Sequence, residues 1–309
     1  RPAVEALIGP IDLFNGDDPG NGFLTYWAER ALAEGAANIN ALLNAMAAIL
    51  PSVEALIGEI DFFDTNYEDN GYLSYWAERA LTESSASIIA LLQAIAAILP
   101  SVETLIDRPV DLFDGSDPAN GFLGYWAERV IAEGSAKIIA LLNAMAGIIN
   151  EVEALIGPVD FFDTNYEDNG FLTFWAEYAL INGLQYTKNV LSNMENILDN
   201  DFDNNGKSEI EELIGPVDFF DNNYDDNGFI TYWAEQAVAQ GVNNVNRGLY
   251  IWKRLLPHVE AYEGRSLNLF IGNDAGILSY WMDEVIKLIN KGLGLEQAIQ
   301  EIINRLKRG

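Results

Sequence analysis

Cysteine is absent from the chain, and histidine occurs once, at His258. The first absence excludes disulfides, thiol catalysis, zinc–cysteine centres and iron–sulfur clusters. The second excludes histidine-rich metal sites, and no serine or acid motif accompanies His258 to suggest a catalytic triad. Positive charge is scarce as well: 17 Lys and Arg face 47 Asp and Glu, for a formal charge of -30 over 309 residues. Such a polyanion does not seek nucleic acid or an anionic membrane surface. No phosphate-cradling glycine fingerprint is present, and no segment alternates with period two, so neither a nucleotide fold nor a sheet is expected. What the chain does hold is apolar residues, half of the total, which is ample for a buried core.

It also repeats itself. Tyr-Trp-Ala-Glu or a close variant recurs around Trp27, Trp76, Trp126, Trp175, Trp233 and Trp281, at intervals of 48 to 50 residues with one interval of 58. Trp252 lies outside this pattern. Two loop types alternate: a Pro type, Asn15-Gly-Asp-Asp-Pro-Gly-Asn-Gly22 and Asp114 to Gly121, and a Tyr type at 64–71, 163–170 and 221–228. The expected architecture is all-α: a tandem array of about six helix-loop-helix repeats of ~50 residues with acidic, calcium-binding loops. The repeats are placed at 1–52, 53–101, 102–151, 152–212 (with an insertion at 199–212), 213–260 and 261–309, the last degenerate and ending in a capping helix.

Within each repeat the pattern predicts a short helix after Pro51-Ser52 or Pro100-Ser101, with the serine as N-cap. A long helix then opens at the aromatic after Asn-Gly and runs to about Leu50, Leu99 or Ile149. Its second half is apolar nearly all round: Ser84 to Val102 contains no charge and has the length of a membrane span. Lys137, Asn38, Asn40 and Asn44 in the matching stretches argue instead for the core of a helical array. The Tyr-Trp pair is expected in the same core rather than as a ligand platform.

The chemistry gathers in the loops. Asp201, Asp203, Asn205, Gly206, Glu209 and Glu212 follow the spacing D-x-[DN]-x-[DN]-G-x5-E, and this stretch resembles an EF-hand calcium loop. The resemblance implies side-chain ligands from Asp201, Asp203 and Asn205, a backbone carbonyl from Lys207, a direct or water-mediated ligand from Glu209, and both oxygens of Glu212. The eighth position is Ser208, where that family usually has an aliphatic residue.

The repeat loops are looser relatives. The Tyr-type candidates are Asp64, Asn66, Glu68, Asp69 and Glu78; Asp163, Asn165, Glu167, Asp168 and Glu177; and Asp221, Asn223, Asp225, Asp226 and Glu235. The Pro-type candidates are Asp17, Asp18 and Glu29, and Asp114, Asp117 and Glu128. The trailing glutamates are expected one turn into the following helix, where each would close a site. Three or four acids within six residues repel one another unless a cation neutralises them. Local capping of the long helix by Asp or Asn is the competing explanation.

These features point to a calcium-stabilised structural protein, self-assembling and not an enzyme. The alternative is a carrier whose apolar helices enclose a lipid or pigment. Arg1-Pro2 runs directly into an ordered-looking segment, which reads as a processed chain, and millimolar calcium favours an extracellular or cell-surface location. Nine basic residues lie from Arg247 onward, among them Lys307 and Arg308. Leu295, Ile299, Ile302, Ile303 and Leu306 form one stripe of a final helix. Docking of this basic end on an acidic N-terminal end of a second copy, head to tail, is the expected assembly contact.

Overall fold

A computed structural model describes residues 1–63, 68–162, 167–220 and 224–308. It is all-helical, with fourteen helices among the described residues. Two units divide the chain, Arg1–Asn143 and Ala144–Gly309. The first holds α1 (Pro2–Ile8), α2 (Pro19–Glu34), α3 (Ala36–Ile57), α4 (Glu68–Glu83), α5 (Ser85–Ile106) and α6 (Pro118–Glu133). Helix α7 (Ser135–Ile156) runs across the division. The second holds α8 (Glu167–Asn182), α9 (Leu184–Leu198), α10 (Glu209–Ile214), α11 (Tyr224–Gln240), α12 (Val242–Glu263), α13 (Gly272–Asn290) and α14 (Leu295–Leu306).

A helix of 16 or 17 residues alternates with one of 22, except for the 15 residues of α9, which the insertion follows. The expected single long helix is therefore broken in two. The break is one residue wide and falls at Gly35, Ser84, Gly134, Gly183 and Gly241, each with φ between 87° and 96°. One such residue separates the two helices while the N–H of Gly35 still closes on Ala31 O, at 3.0 Å, and its carbonyl accepts from Ile39. Glycine takes this conformation without a Cβ penalty. Ser84 is the exception, at φ 89° and ψ 143°, with its hydroxyl accepting from Ser87 N.

The proline-serine pairs do not open new helices. Pro51, Pro100 and Pro257 lie inside α3, α5 and α12, so the repeat boundaries at 52, 101 and 260 fall within continuous helices. A proline there removes one i→i−4 bond. Burial on both sides of it holds the helix together: Ile49 and Val53 flank Pro51, Ile98 and Val102 flank Pro100, and all four are fully buried. Each such side chain stabilises by about 1.5–3 kcal/mol.

In the first unit α3 packs against α1, α2, α4 and α5, and α5 against α4 and α6. In the second, α9 packs against α8, α10, α11 and α12, while α14 covers α12 and α13. The stripe on α14 is buried at Ile299, Ile302, Ile303 and Leu306. At the other end Val4 and Leu7 of α1 are buried, so this short helix packs on its own neighbours. The tryptophans divide from their neighbours: Trp27, Trp76, Trp126, Trp175 and Trp233 are buried, yet Tyr26, Tyr75, Tyr125, Phe174, Tyr232 and Tyr280 are all more than half exposed. The Tyr-Trp pair is thus half core and half surface. Trp252 also has a place in the repeat. It stands 19 residues after Trp233, as Met46 stands after Trp27, Ile95 after Trp76 and Met194 after Trp175.

The connectors share one hydrogen-bond pattern. Asp18, Asp69, Asp117, Asp168, Asp226 and Asp274 accept from the backbone N–H of Asp12, Asp61, Asp111, Asp160, Asp218 and Asn268 respectively. Asp12, Asp61, Asp111, Asp160 and Asp218 each accept from the N–H two residues on. Glu5, Glu54, Glu103, Glu153 and Glu260 accept from the residue entering the turn, Ile11, Ile60, Val110, Val159 or Leu267. At each connector these carboxylates form a clasp that satisfies the described backbone donors they meet.

Candidate functional site

Six aspartates of the repeat connectors, Asp18, Asp69, Asp117, Asp168, Asp226 and Asp274, are engaged in that clasp. Asp18 and Asp117 are the N-caps of α2 and α6 and also accept from Gly20 and Ala119. Asp69, Asp168 and Asp226 lie in the first turns of α4, α8 and α11, where a carboxylate is favoured by the helix dipole. Arg108 forks onto Asp117 at 2.6 and 2.9 Å and holds its carboxyl far below the usual range. Arg265 does the same to Asp274, lowering it to about 2. Asp114 accepts from Ser116, which lowers it too. Asp17, Glu68, Glu167 and Asp225 are exposed. Asp64, Asn66, Asp163, Asn165, Asp221 and Asn223 lie outside the described residues.

The trailing glutamates lie deeper in their helices than the expected one turn. Because α2, α4, α6, α8 and α11 begin before the Asn-Gly pair, Glu29, Glu78, Glu128, Glu177 and Glu235 stand ten or eleven residues into their helices. That is about 15 Å along the axis, not one turn. Glu29, Glu78, Glu128 and Glu177 are exposed, and Glu235 accepts a hydrogen bond from Tyr178 of α8.

The insertion is different. Asp201 accepts the N–H of Gly206 at 2.7 Å and of Asn205 at 2.9 Å, and these donors lower its pKa. Gly206 has φ 89°, as the tight turn requires. Asn205 Oδ1 accepts from Lys207 N, and its Nδ2 donates to Glu212 at 2.8 Å. Ser208 is the N-cap of α10 and forms a capping box with Glu211. Glu209 is 1% exposed and accepts from Phe202 N and Asn200 Nδ2. One carboxylate oxygen each of Asp201, Asp203 and Glu209 lies within 4.8 Å of the others, so this triad could hold a metal ion.

A residue that the loop spacing does not reveal completes the cluster. Lys253 reaches over from α12, and its ammonium donates to Asp203 at 2.7 Å and to Glu212, and stands 3.6 Å from Glu209. Burial pulls its pKa down, but Asp203 and Glu212 outweigh that and hold it raised. Nearby, Phe202 packs on Tyr250 at 4.6 Å between centroids, tying the loop to the same helix. Three of the expected ligands, Asp203, Glu209 and Glu212, thus gather around a positive charge supplied by the chain itself.

No protein-family model matches the chain, and neither a curated protein nor a solved structure does. By length and composition alone, α3, α5 and α7 are long and apolar enough to cross a membrane.

Proposed function

We propose that the protein is a divalent-cation-binding helical-repeat protein with a structural role, and that calcium enters the 201–212 loop by exchange with Lys253. The observation that carries this reading is the meeting of Asp201, Asp203 and Glu209 within 4.8 Å. Hard carboxylate oxygens at that spacing suit calcium, and Glu212 and Asn205 adjoin them. Without the ion, Lys253 neutralises the loop. With it, the ammonium is displaced and the loop keeps its shape.

This exchange lowers affinity, because calcium must compete with a tethered cation at high effective concentration. A weak site of that kind suits millimolar calcium, which favours an extracellular setting. In this reading Asp18, Asp69, Asp117, Asp168, Asp226 and Asp274 serve as backbone clasps, and the insertion is the principal ion site. Self-assembly head to tail rests on the basic residues gathered after Arg247, and light scattering across calcium concentrations tests it separately.

Calorimetry with calcium tests the central claim. The expected result is one site, weakened at least tenfold in Asp203→Asn and in Glu212→Gln. Heats that are absent in the native protein, or identical in both variants, would sink it.

A further inference from the structure

Successive repeats meet through one recurring aromatic contact. Phe63, Phe113, Phe220 and Phe270 each stand two positions after a connector Asp or Asn and donate their N–H to its side chain. Each ring meets, edge-on, an aromatic ring on the helix of the repeat before it. The partners are Phe23, Tyr72, Phe171 and Phe229 respectively, at 5.7 to 6.1 Å between centroids. Such pairs are favourable beyond the area they bury. Phe63 also lies beside Tyr26 and Trp27, and Phe270 beside Tyr232 and Trp233. The four phenylalanines are left 38 to 45% exposed.

Each half of this contact is left over once. Phe14 holds the same position, with its N–H on Asp12, and is 100% exposed. Leu13 beside it is exposed, whereas its counterparts Phe62, Leu112, Phe219 and Leu269 are half-buried or buried. The complementary half stands open on α13. Ile277 precedes Trp281 by four positions, as Phe23 precedes Trp27, and it is partly exposed. Trp281 is partly exposed too, although Trp27, Trp76, Trp126, Trp175 and Trp233 are all buried. Tyr280 next to it is 57% exposed. Helix α14 packs on α13 and α12 as α3 packs on α2 and α1, and it leaves this edge open. A single exposed apolar side chain is ordinary on a protein surface. These two surfaces, however, are the two halves of a contact that the chain makes within itself, so each specifies what fits the other.

We propose that Leu13 and Phe14 of one copy seat on Ile277, Tyr280 and Trp281 of a second copy, carrying the repeat-to-repeat contact from one molecule to the next. Charge favours the same orientation. Asp12 and Asp17 flank Phe14 and are exposed, and Lys307 and Arg308 are exposed at the end of α14, which packs on α13. Opposite charges around the two apolar halves steer unlike ends together and keep like ends apart. The contact is heterologous, so it closes into a ring or continues as a filament. It rests on the head-to-tail assembly proposed above and names the residues that make it. Lys253 and the 201–212 loop take no part, so it stands or falls independently of calcium.

The test is sedimentation velocity on the full chain over a range of concentrations, in chelator and in calcium. The native protein is expected to associate as its concentration rises. Phe14→Ala and Tyr280→Ala are each expected to weaken association about tenfold or more, as loss of an aromatic anchor does. The helical circular dichroism and the melting temperature of dilute protein should stay native in both, since both side chains lie largely in solvent. Mixing the two variants decides the geometry. A Phe14→Ala copy still offers α13, and a Tyr280→Ala copy still offers Phe14, so the mixture is expected to form dimers and nothing longer. Variants that stay monomeric when mixed overturn the proposal, in favour of a two-fold contact between like ends. Association that neither substitution weakens also overturns it; if Lys307→Glu/Arg308→Glu then abolishes association, head-to-tail assembly through charge alone still stands. A native protein that stays monomeric at every concentration overturns both.

Discussion

Replacing Lys253 with methionine isolates the internal cation. Methionine keeps the apolar stem and removes only the charge. The ammonium has 12% of its side chain exposed and meets Asp203 at 33%, Glu212 at 24% and Glu209 at 1%. Removing one partner of a buried ion pair costs about 3–5 kcal/mol. Partial exposure of Asp203 and Glu212 lets water screen some of that, so a loss of about 2–3 kcal/mol is expected in chelator. For a unit of this size, about 2–4 °C per kcal/mol converts the loss to roughly 5–10 °C in melting temperature. The same energy reappears in binding. Calcium entering the variant no longer evicts an ammonium, so its affinity should rise about 30- to 140-fold, at 1.4 kcal/mol per tenfold. Saturating calcium should then restore the melting temperature toward the native value. Scanning calorimetry in chelator and titration calorimetry with calcium measure the two halves. A variant that melts like the native protein in chelator and binds calcium no more tightly would refute the exchange.

Ser84→Gly should stabilise by about 1 kcal/mol, because the native side chain sits at φ 89° where L-residues are strained; a lower melting temperature would show that its cap on Ser87 outweighs the strain. Glu78→Gln and Glu177→Gln should leave ion stoichiometry in native mass spectrometry unchanged, since both stand about 15 Å into their helices. Asp274, held at about 2 by Arg265, contributes stability that is complete above the ordinary carboxylate range near pH 4 and is lost as pH falls toward about 2. The melting-temperature gap between native protein and Asp274→Asn should therefore narrow through that window, and a constant gap down to pH 2 would count against the Arg265 pairing.

The helical class and the period were legible because Trp27, Trp76, Trp126, Trp175 and Trp233 mark the same buried point in five successive repeats. The helix starts were misplaced because Asn-Gly is a turn signal, yet Asn21-Gly22 and its equivalents lie within the first turns of their helices, after the caps at Asp18 and Asp117. The one-residue breaks had a signal that helical periodicity overrode. Eight positions past the tryptophan of each of the first five repeats the residue is glycine at Gly35, Gly134, Gly183 and Gly241, and serine at Ser84. Nothing local announces Lys253, which comes from 50 residues beyond Asp203. Its role follows from α10 and α9 packing on α12, a tertiary fact.

The connector clasps also bear on how the chain acquires its structure. Each joins an aspartate to a backbone donor six or eight positions away, as from Asp12 to Asp18 or Asp160 to Asp168. Closing so short a loop takes on the order of 10–100 ns, long before distant helices meet. A growing chain therefore sets the angle between successive helices as soon as each connector emerges, and the next helix arrives at a neighbour already in place. Topologies built from such near contacts fold quickly, and little apolar surface waits uncovered for its partner. The insertion departs from this rule. Lys253 is made some 50 residues after Asp203, so during synthesis the loop carries unpaired acids until α12 is complete.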